Sequence, residues 1–526
     1  MNKNAFLVGN ALAFNAVRFP DKVCLIFKSK RFTYKELNER VNRLADSLIE
    51  SGFQKGDAIG YVLFNSNEAI ELFYACLKIG AVAVPLNVRL KASDIKGYLN
   101  HTKCKALFFS EQLIDSIESI KNDLSFVKLI IMTGSAKHES IRNYDDFCSN
   151  GSVEEPSVEI SCDDHALYKF TGGTTGQAKA AIHTQYNMMV TSIIAQLSSG
   201  YTTPNSTAIY QLPLFHMSGL IKTLSLLSAG GTVILLESIN PEEILDLIEK
   251  EKVTYAILMP PQSWYRILEV PDIRKRDLSS LKTIATSGGG SSLDIYKLFF
   301  DILPNIELFY GWGQTETCVL GTGLLITRKM FLDKDERLYS IGVEHPYLRI
   351  KICDDDGNEL PDGERGEAWV QYPGNFKGYL DNVEITSQYL CGEWVKTGDV
   401  FYKKNGYYYM VDRKKDMIKT GGENVYCEEV EAVLRSHPAV ERIAIIGVPD
   451  TKFGEAILGI VQLSPEKTAT ESEIIDFCKD KLSSYKKPRG IVFVNQFPLS
   501  DVGKVQKFVL REEYKDYFLN RITDIK

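Results

Sequence analysis

Apolar positions recur along the first half of the chain with two alternating periods. Between residues 33 and 52, Leu37, Val41, Leu44, Leu48 and Ile49 return at helical spacing, which predicts one amphipathic helix. Thr33 and Glu36 stand as a capping box at its start, and Gly52 sits where a C-terminal cap belongs. A short apolar run at 58–64 reads as a strand, a helical stretch follows at 66–78, and 81–86 reads as a buried strand. Further strand signals lie at 106–110, 129–132, 208–212, 232–236 and 255–259, with helical stretches such as 241–251 between them. Strands alternating with helices predict an α/β class with large sheets.

The texture changes at 354–406, where Gly, Asp and Tyr crowd between short strands such as 367–371, the pattern of a β-rich subdomain. After residue 414 the mixed pattern returns, with helices at 428–436 and 471–482, strands at 443–448, 457–463 and 491–494, and a final helix. The expected organisation is a large N-terminal domain, 1–413, of packed α/β sheets plus the β-rich subdomain. A small mobile α+β C-terminal domain, 414–526, completes it.

Composition narrows the class. The chain has 526 residues, 44% hydrophobic and 25% charged, ample for buried cores and far from a disordered composition. Its net charge of −7 argues against a nucleic-acid binder. No apolar run approaches the roughly 18 residues of a membrane helix, and the first residues make a poor secretory signal. Ten cysteines are scattered without any C-x-x-C pair, so neither a disulfide framework nor a zinc site is expected, and a cytoplasmic location fits best.

Candidate chemistry is sharpest in Phe170-Thr-Gly-Gly-Thr-Thr-Gly-Gln-Ala-Lys179. Gly172, Gly173 and Gly176 leave the backbone free to wrap an anion with its N–H groups inward. Thr171, Thr174 and Thr175 add hydroxyl donors, and Lys179 adds charge. A nucleotide phosphate is the natural ligand, against the plainer reading of a surface loop. The spacing is not that of a Walker loop, because Lys179 does not directly follow a glycine.

Other segments follow in a fixed order: Leu77-Lys-Ile-Gly-Ala81 before it, then Leu212-Pro-Leu-Phe-His-Met-Ser-Gly219, Ser287-Gly-Gly-Gly290 and Tyr310-Gly-Trp-Gly-Gln-Thr-Glu316. Lys396-Thr-Gly-Asp399, Asp412-Arg-Lys-Lys-Asp-Met-Ile-Lys-Thr-Gly-Gly-Glu-Asn424 and Pro498-Leu-Ser-Asp-Val-Gly-Lys504 close the series. This ordered set, spanning about residues 32–507, resembles the adenylate-forming superfamily, and within it the acyl-CoA synthetase and aryl-CoA ligase branch.

The resemblance implies a two-step reaction: a carboxylate attacks the α-phosphorus of ATP and expels pyrophosphate, then the thiol of coenzyme A displaces AMP. Lys504 would be the cation at the attacked phosphorus, Glu316 the ligand of Mg²⁺, with Thr315 beside it, and Thr175 a catalytic hydroxyl in the phosphate loop. Asp399 would accept both ribose hydroxyls, assisted by Arg413. Tyr310, followed by Gly311, would stack on adenine, while Gly288, Gly289 and Gly290 allow close backbone approach. His216 would line the carboxylate pocket. Because 214–220 carries no acid to pair with an amine, an acid lacking an α-amino group is expected. Lys415 would be the pivot of the small domain, whose rotation brings Gly421, Gly422 and Glu423 to the pantetheine arm of coenzyme A.

The chain departs from the family pattern at Gly172, Ala178, Ala180, Cys427 and Asp412, none of which removes a charged catalytic group. The substrate pocket is expected near 215–220, 287–291 and 312–320, an apolar mix that suits a fatty or aromatic acid. Three alternatives stand beside the coenzyme A ligase. One is an acyl-AMP ligase loading an acyl carrier protein, one a luciferase-like monooxygenase, and one a nucleotide-binding regulator without catalysis.

Overall fold

Thr33 begins the first long helix as its spacing predicts: the Thr33 Oγ1 accepts from the Glu36 amide at 3.2 Å, and the Thr33 amide donates to Glu36 Oε2 at 2.8 Å. The helix runs Tyr34–Glu50 and buries Leu37, Val41, Leu44 and Leu48, with Gly52 beyond it at φ +85°. Ile49 departs from the expected stripe and is 38% exposed, because it falls on the flank of the helix one position past the buried face. The next helix, Asn67–Ile79, is capped by Ser66 and ended by Gly80 in the left-handed region at φ +68°.

The computed structural model describes residues 7–171, 179–199, 202–258, 263–285, 293–420, 423–450, 453–479, 481–499 and 504–518. The chain forms two compact units, residues 1–349 with 370–395, and residues 350–369 with 396–526. The boundary expected at 413/414 lies within the second unit.

The first unit holds two large sheets, as expected from the alternating signals. In the seven-stranded sheet the order is Arg142–Asn143, Leu129–Thr133, Ala106–Ser110, Ala58–Val62, Val82–Pro85, His165–Thr171, Lys179–Thr184, parallel but for the last pair. In the nine-stranded sheet four parallel strands stand side by side: Thr207–Tyr210, Tyr255–Ile257, Thr283–Ala285 and Glu307–Trp312. Val62, Val84, Leu99, Leu107 and Phe109 belong to the core packed on the seven-stranded sheet.

The second unit contains a hairpin of residues 396–404, from the strand Trp394–Lys404, with Tyr407–Arg413, and a further sheet of Glu423–Val425, Ile418–Thr420, Gly454–Leu463, Val440–Asp450 and Gly490–Phe493. Helix Cys427–Arg435 packs Val430 and Leu434 onto one side of that sheet, and Leu510 of helix Lys507–Glu513 packs on the other. The helix expected at 471–482 stops early, at Glu471–Asp476. Among the described residues no helix is long and apolar enough to cross a membrane. All ten cysteines are free thiols.

Candidate active site

The four neighbouring parallel strands of the nine-stranded sheet explain why distant motifs gather. Register pairs Tyr210 with Ile257, Ile257 with Ala285 and Ala285 with Phe309, so the first three strands end together and the fourth runs on to Trp312. After the first of these strands comes the segment leading to His216, and after the last the turn carrying Thr315 and Glu316. Ligands of α/β sheets bind at such carboxyl ends, where loops rather than sheet provide the surface. Tyr310 and Gly311 lie in the last strand itself, opposite Leu324 and Gly323. The Trp312 ring lies on Gly321, where a Cβ would come within 2.3 Å of it.

The candidate phosphate loop is anchored at both ends. Thr171 and Lys179 are the last register pair of the antiparallel strands His165–Thr171 and Lys179–Thr184. The segment 376–380 runs along the outer strand: the Lys377 amide donates to the Ile182 carbonyl at 2.9 Å and the Leu380 amide to the Ala180 carbonyl at 2.9 Å. The same segment reaches Glu316, since the Phe376 amide donates to the Glu316 carbonyl at 2.9 Å and Tyr379 donates its hydroxyl to Glu316 Oε1 at 2.6 Å. Thr171 also hydrogen-bonds the Tyr379 oxygen, and the Lys179 ammonium lies 5.6 Å from the Tyr379 ring centroid and 5.0 Å from that of Tyr389. Burial, then the Glu316 charge, pushes the Tyr379 hydroxyl far above its ordinary pKa, so it remains a donor. Glu316, in the short 3₁₀ turn Thr315–Thr317, is 8% exposed. Hydroxyl, ammonium and carboxylate thus converge through one tyrosine.

His216 precedes helix Met217–Ala229, and Gly219 permits that helix to start against Pro213, whose carbonyl oxygen a Cβ would meet at 2.3 Å. The His216 Nε2 is buried without a hydrogen-bond partner among the described residues. Burial, followed by repulsion from Lys169 and Arg89, lowers its pKa to about 3, so the ring is neutral at physiological pH. Two cations beside a neutral imidazole make a field that attracts a carboxylate.

In the second unit Asp399 and Arg413 face each other across the hairpin, with Arg413 Nε 3.3 Å from Asp399 Oδ1. Asp399 is 4% exposed, and its amide donates to Thr397 Oγ1 at 3.1 Å, which fixes the turn of Lys396-Thr-Gly-Asp399. Lys504 belongs to the same cluster. It keeps solvent contact, yet desolvation and the Arg413 charge lower its pKa while Asp399 opposes them. Lys415 lies in the 3₁₀ turn Lys414–Asp416, and Glu423 is exposed on the strand Glu423–Val425. Asp412, the departure from glycine, is buried. Its Oδ1 accepts from the Arg413 amide at 2.7 Å and its Oδ2 from the Glu428 amide at 3.2 Å, in the first turn of helix Cys427–Arg435.

Gly172, Gly173, Thr174, Thr175, Gly176, Gly288, Gly289, Gly290, Gly421 and Gly422, with the side chain of Lys415, lie outside the described residues. Sequence reading passed over Tyr379, Lys169 and Arg89. Tyr379 follows Gly378 in the β-rich stretch, and only its place beside the strand of Lys179 singles it out. Among the described residues no three or more His, Cys, Asp or Glu side chains cluster as a metal site.

A model of the family described as AMP-binding enzyme matches residues 12–380, and one of the AMP-binding enzyme C-terminal domain matches 429–504. Among curated proteins, the putative acyl–CoA ligase YdaB of Bacillus subtilis (strain 168) is 33% identical over 488 residues, 91% of this chain and 94% of its own. The long-chain-fatty-acid–CoA ligase FadD13 of Mycobacterium tuberculosis (strain ATCC 25618 / H37Rv) is 31% identical over 492 residues, 92% of this chain and 93% of its own. Among solved structures, ATP-bound MatB from Rhodopseudomonas palustris is similar with a TM-score of 0.86 at 27% identity, over 97% of this chain and 99% of that one.

Proposed function

Because this chain belongs to the AMP-binding enzyme family, we propose that it is an ATP-dependent carboxylic acid–CoA ligase working through an acyl-adenylate. The observation that carries the reading is the convergence of Thr171, Lys179 and Glu316 on Tyr379. It sets phosphate-binding donors and a hard-cation ligand side by side, which the first step requires.

In this reading the phosphates of ATP lie on the backbone of Gly172, Gly173 and Gly176 and the hydroxyls of Thr171, Thr174 and Thr175, with Lys179 adding charge. Glu316, with Thr315 beside it, would hold Mg²⁺: a buried carboxylate oxygen suits a hard cation whose remaining ligands are phosphate and water. That ion would supply charge neutralisation on the departing pyrophosphate. Asp399 accepts the ribose hydroxyls, and Arg413, 3.3 Å away, orients its carboxylate. Tyr310 and Gly288 to Gly290 bind adenine.

The acid enters beside neutral His216, drawn by Lys169 and Arg89. Its carboxylate oxygen attacks the α-phosphorus and the bond to pyrophosphate breaks, with Lys504 neutralising the charge that develops. Rotation at Lys415 then withdraws Lys504 and brings Gly421, Gly422 and Glu423 to the pantetheine arm. The thiolate sulfur attacks the adenylate carbonyl, and AMP leaves. Free thiols throughout fit a reducing cytoplasm.

Pyrophosphate release with ATP, Mg²⁺ and a panel of fatty, aryl and dicarboxylic acids, each with and without coenzyme A, tests the proposal. Acid-dependent release that rises with coenzyme A is the expected result. Acid-dependent ATP–pyrophosphate exchange without any coenzyme A thioester would transfer the assignment to an enzyme loading a carrier-protein pantetheine.

A further inference from the structure

Helix Met217–Ala229 carries a second polar group that the reaction above does not use. Lys222 is desolvated by its surroundings, which lower its pKa to about 8. Its ammonium still carries a proton at neutral pH, and among the described residues no carboxylate pairs with it. Lys222 is half-buried, and a desolvated cation with no counter-charge beside it is costly unless a ligand completes it.

The neighbours of Lys222 describe the ligand. Its Nζ lies 5.7 Å from the ring centroid of Phe309, in the strand that carries Tyr310 and Gly311. His345 stacks on the same ring, with centroids 6.3 Å apart and planes 17° from parallel. Burial, then the Lys222 charge, lowers the His345 pKa to about 4, so that ring is neutral and has one N–H to give. Gly311 and Gly323 face each other in register, and the two rings lie over Gly323, where a Cβ would meet His345 Cε1 at 2.8 Å and Phe309 Cζ at 2.9 Å. The glycine thus lets both rings settle onto the sheet beside Lys222. Lys222 lies six positions beyond His216, about 9 Å along a helix axis, and lysine side chains lean back toward the N-terminus, the His216 end.

We propose that Lys222, with His345 as a second donor, receives an anionic group at the far end of the acid, so that the preferred substrates are dicarboxylic. The inference rests on the ligase reading and narrows its expected fatty or aromatic acid. One carboxylate reacts near His216 while the other is held at Lys222, and the cation–π contact keeps the ammonium aimed while the site is empty.

Succinate, glutarate and adipate, each compared with butyrate, valerate and hexanoate, test it in the full chain by kcat/KM for pyrophosphate release, beside the fatty and aryl acids named above. The parent enzyme is expected to prefer at least one diacid over its monoacid partner by about 10- to 100-fold, the worth of one charge-assisted hydrogen bond. Lys222→Met is expected to abolish that preference and Lys222→Arg to keep part of it, with thermal unfolding confirming that each variant is folded. A preference for monoacids, or a diacid preference that Lys222→Met leaves intact, overturns the inference and leaves the ligase reading standing. Silence with every acid overturns the ligase reading, and this inference with it.

Discussion

Tyr379 holds Glu316 by a 2.6 Å hydrogen bond across a sequence gap of 63 residues. The bond ties the candidate metal ligand to the strand edge that carries Lys179, so the position of the carboxylate depends on a residue outside every recognised motif. Tyr379→Phe keeps the ring that Lys179 faces and removes only the hydroxyl. A hydrogen bond to a charged acceptor is worth about 1.5–3 kcal/mol, so pyrophosphate release should fall about tenfold or more. The Mg²⁺ concentration for half-maximal rate should rise with it. A titration of rate against Mg²⁺ reads both.

Lys504→Ala separates the two steps. Adenylation should drop about 10²- to 10³-fold, the usual cost of losing one preorganised charge at a developing anion. Thioester formation from synthetic acyl-AMP and coenzyme A should stay within a few-fold of the parent, as the second step does not use this lysine. An equal loss in both assays would contradict its assigned place.

Asp399→Asn removes the charge that Arg413 faces at 3.3 Å. The variant should raise KM for ATP by about 10- to 100-fold, as expected for loss of charge-assisted hydrogen bonds to the ribose. KM for the acid should barely move. Steady-state kinetics with each substrate varied in turn distinguishes this from a general loss of fold, which would lower kcat for both.

His183 is buried, and its pKa is lowered from 6.5 to about 3. Between those values the unfolded chain holds a proton that the native ring does not, so stability falls as pH falls through this window and is unaffected above it. The cost approaches about 1.4 kcal/mol for each pH unit once the pH is well below 6.5. His183→Gln, which cannot titrate, should show a shallower fall of Tm between pH 6.5 and 4.5 than the parent. Differential scanning calorimetry at several pH values provides the comparison.

Local features were the legible ones. The capping box of Thr33 and Glu36 acts within one turn, and the helices read at 33–52 and 66–78 lie close to where the pattern puts them, at Tyr34–Glu50 and Asn67–Ile79. Helix Val383–Tyr389 went unseen because it buries none of its residues and so has no apolar stripe to announce it. At the site, Asp399 and Arg413 stood in recognisable motifs, yet their pairing comes from the register of a hairpin, which neither motif states. Lys222 and His345 were passed over for another reason. One lysine in an apolar helix reads as an interruption of the pattern until Phe309 is found beside it.

Asp412 stands on one side of the candidate pivot and Glu428 on the other, and the carboxylate of the first accepts the amide of the second at 3.2 Å. In the proposed rotation, a backbone turn at Lys415 would carry one partner away from the other and break this bond, which would then act as a detent. A glycine at 412 would leave such a joint free to drift, whereas the aspartate would make each swing an activated event, at a cost of about 1.5–3 kcal/mol for a bond to a charged acceptor. Such a catch would act on timing: it would lengthen the dwell in one orientation, so that a reactive adenylate would be handed on in discrete strokes instead of being exposed by continual wavering.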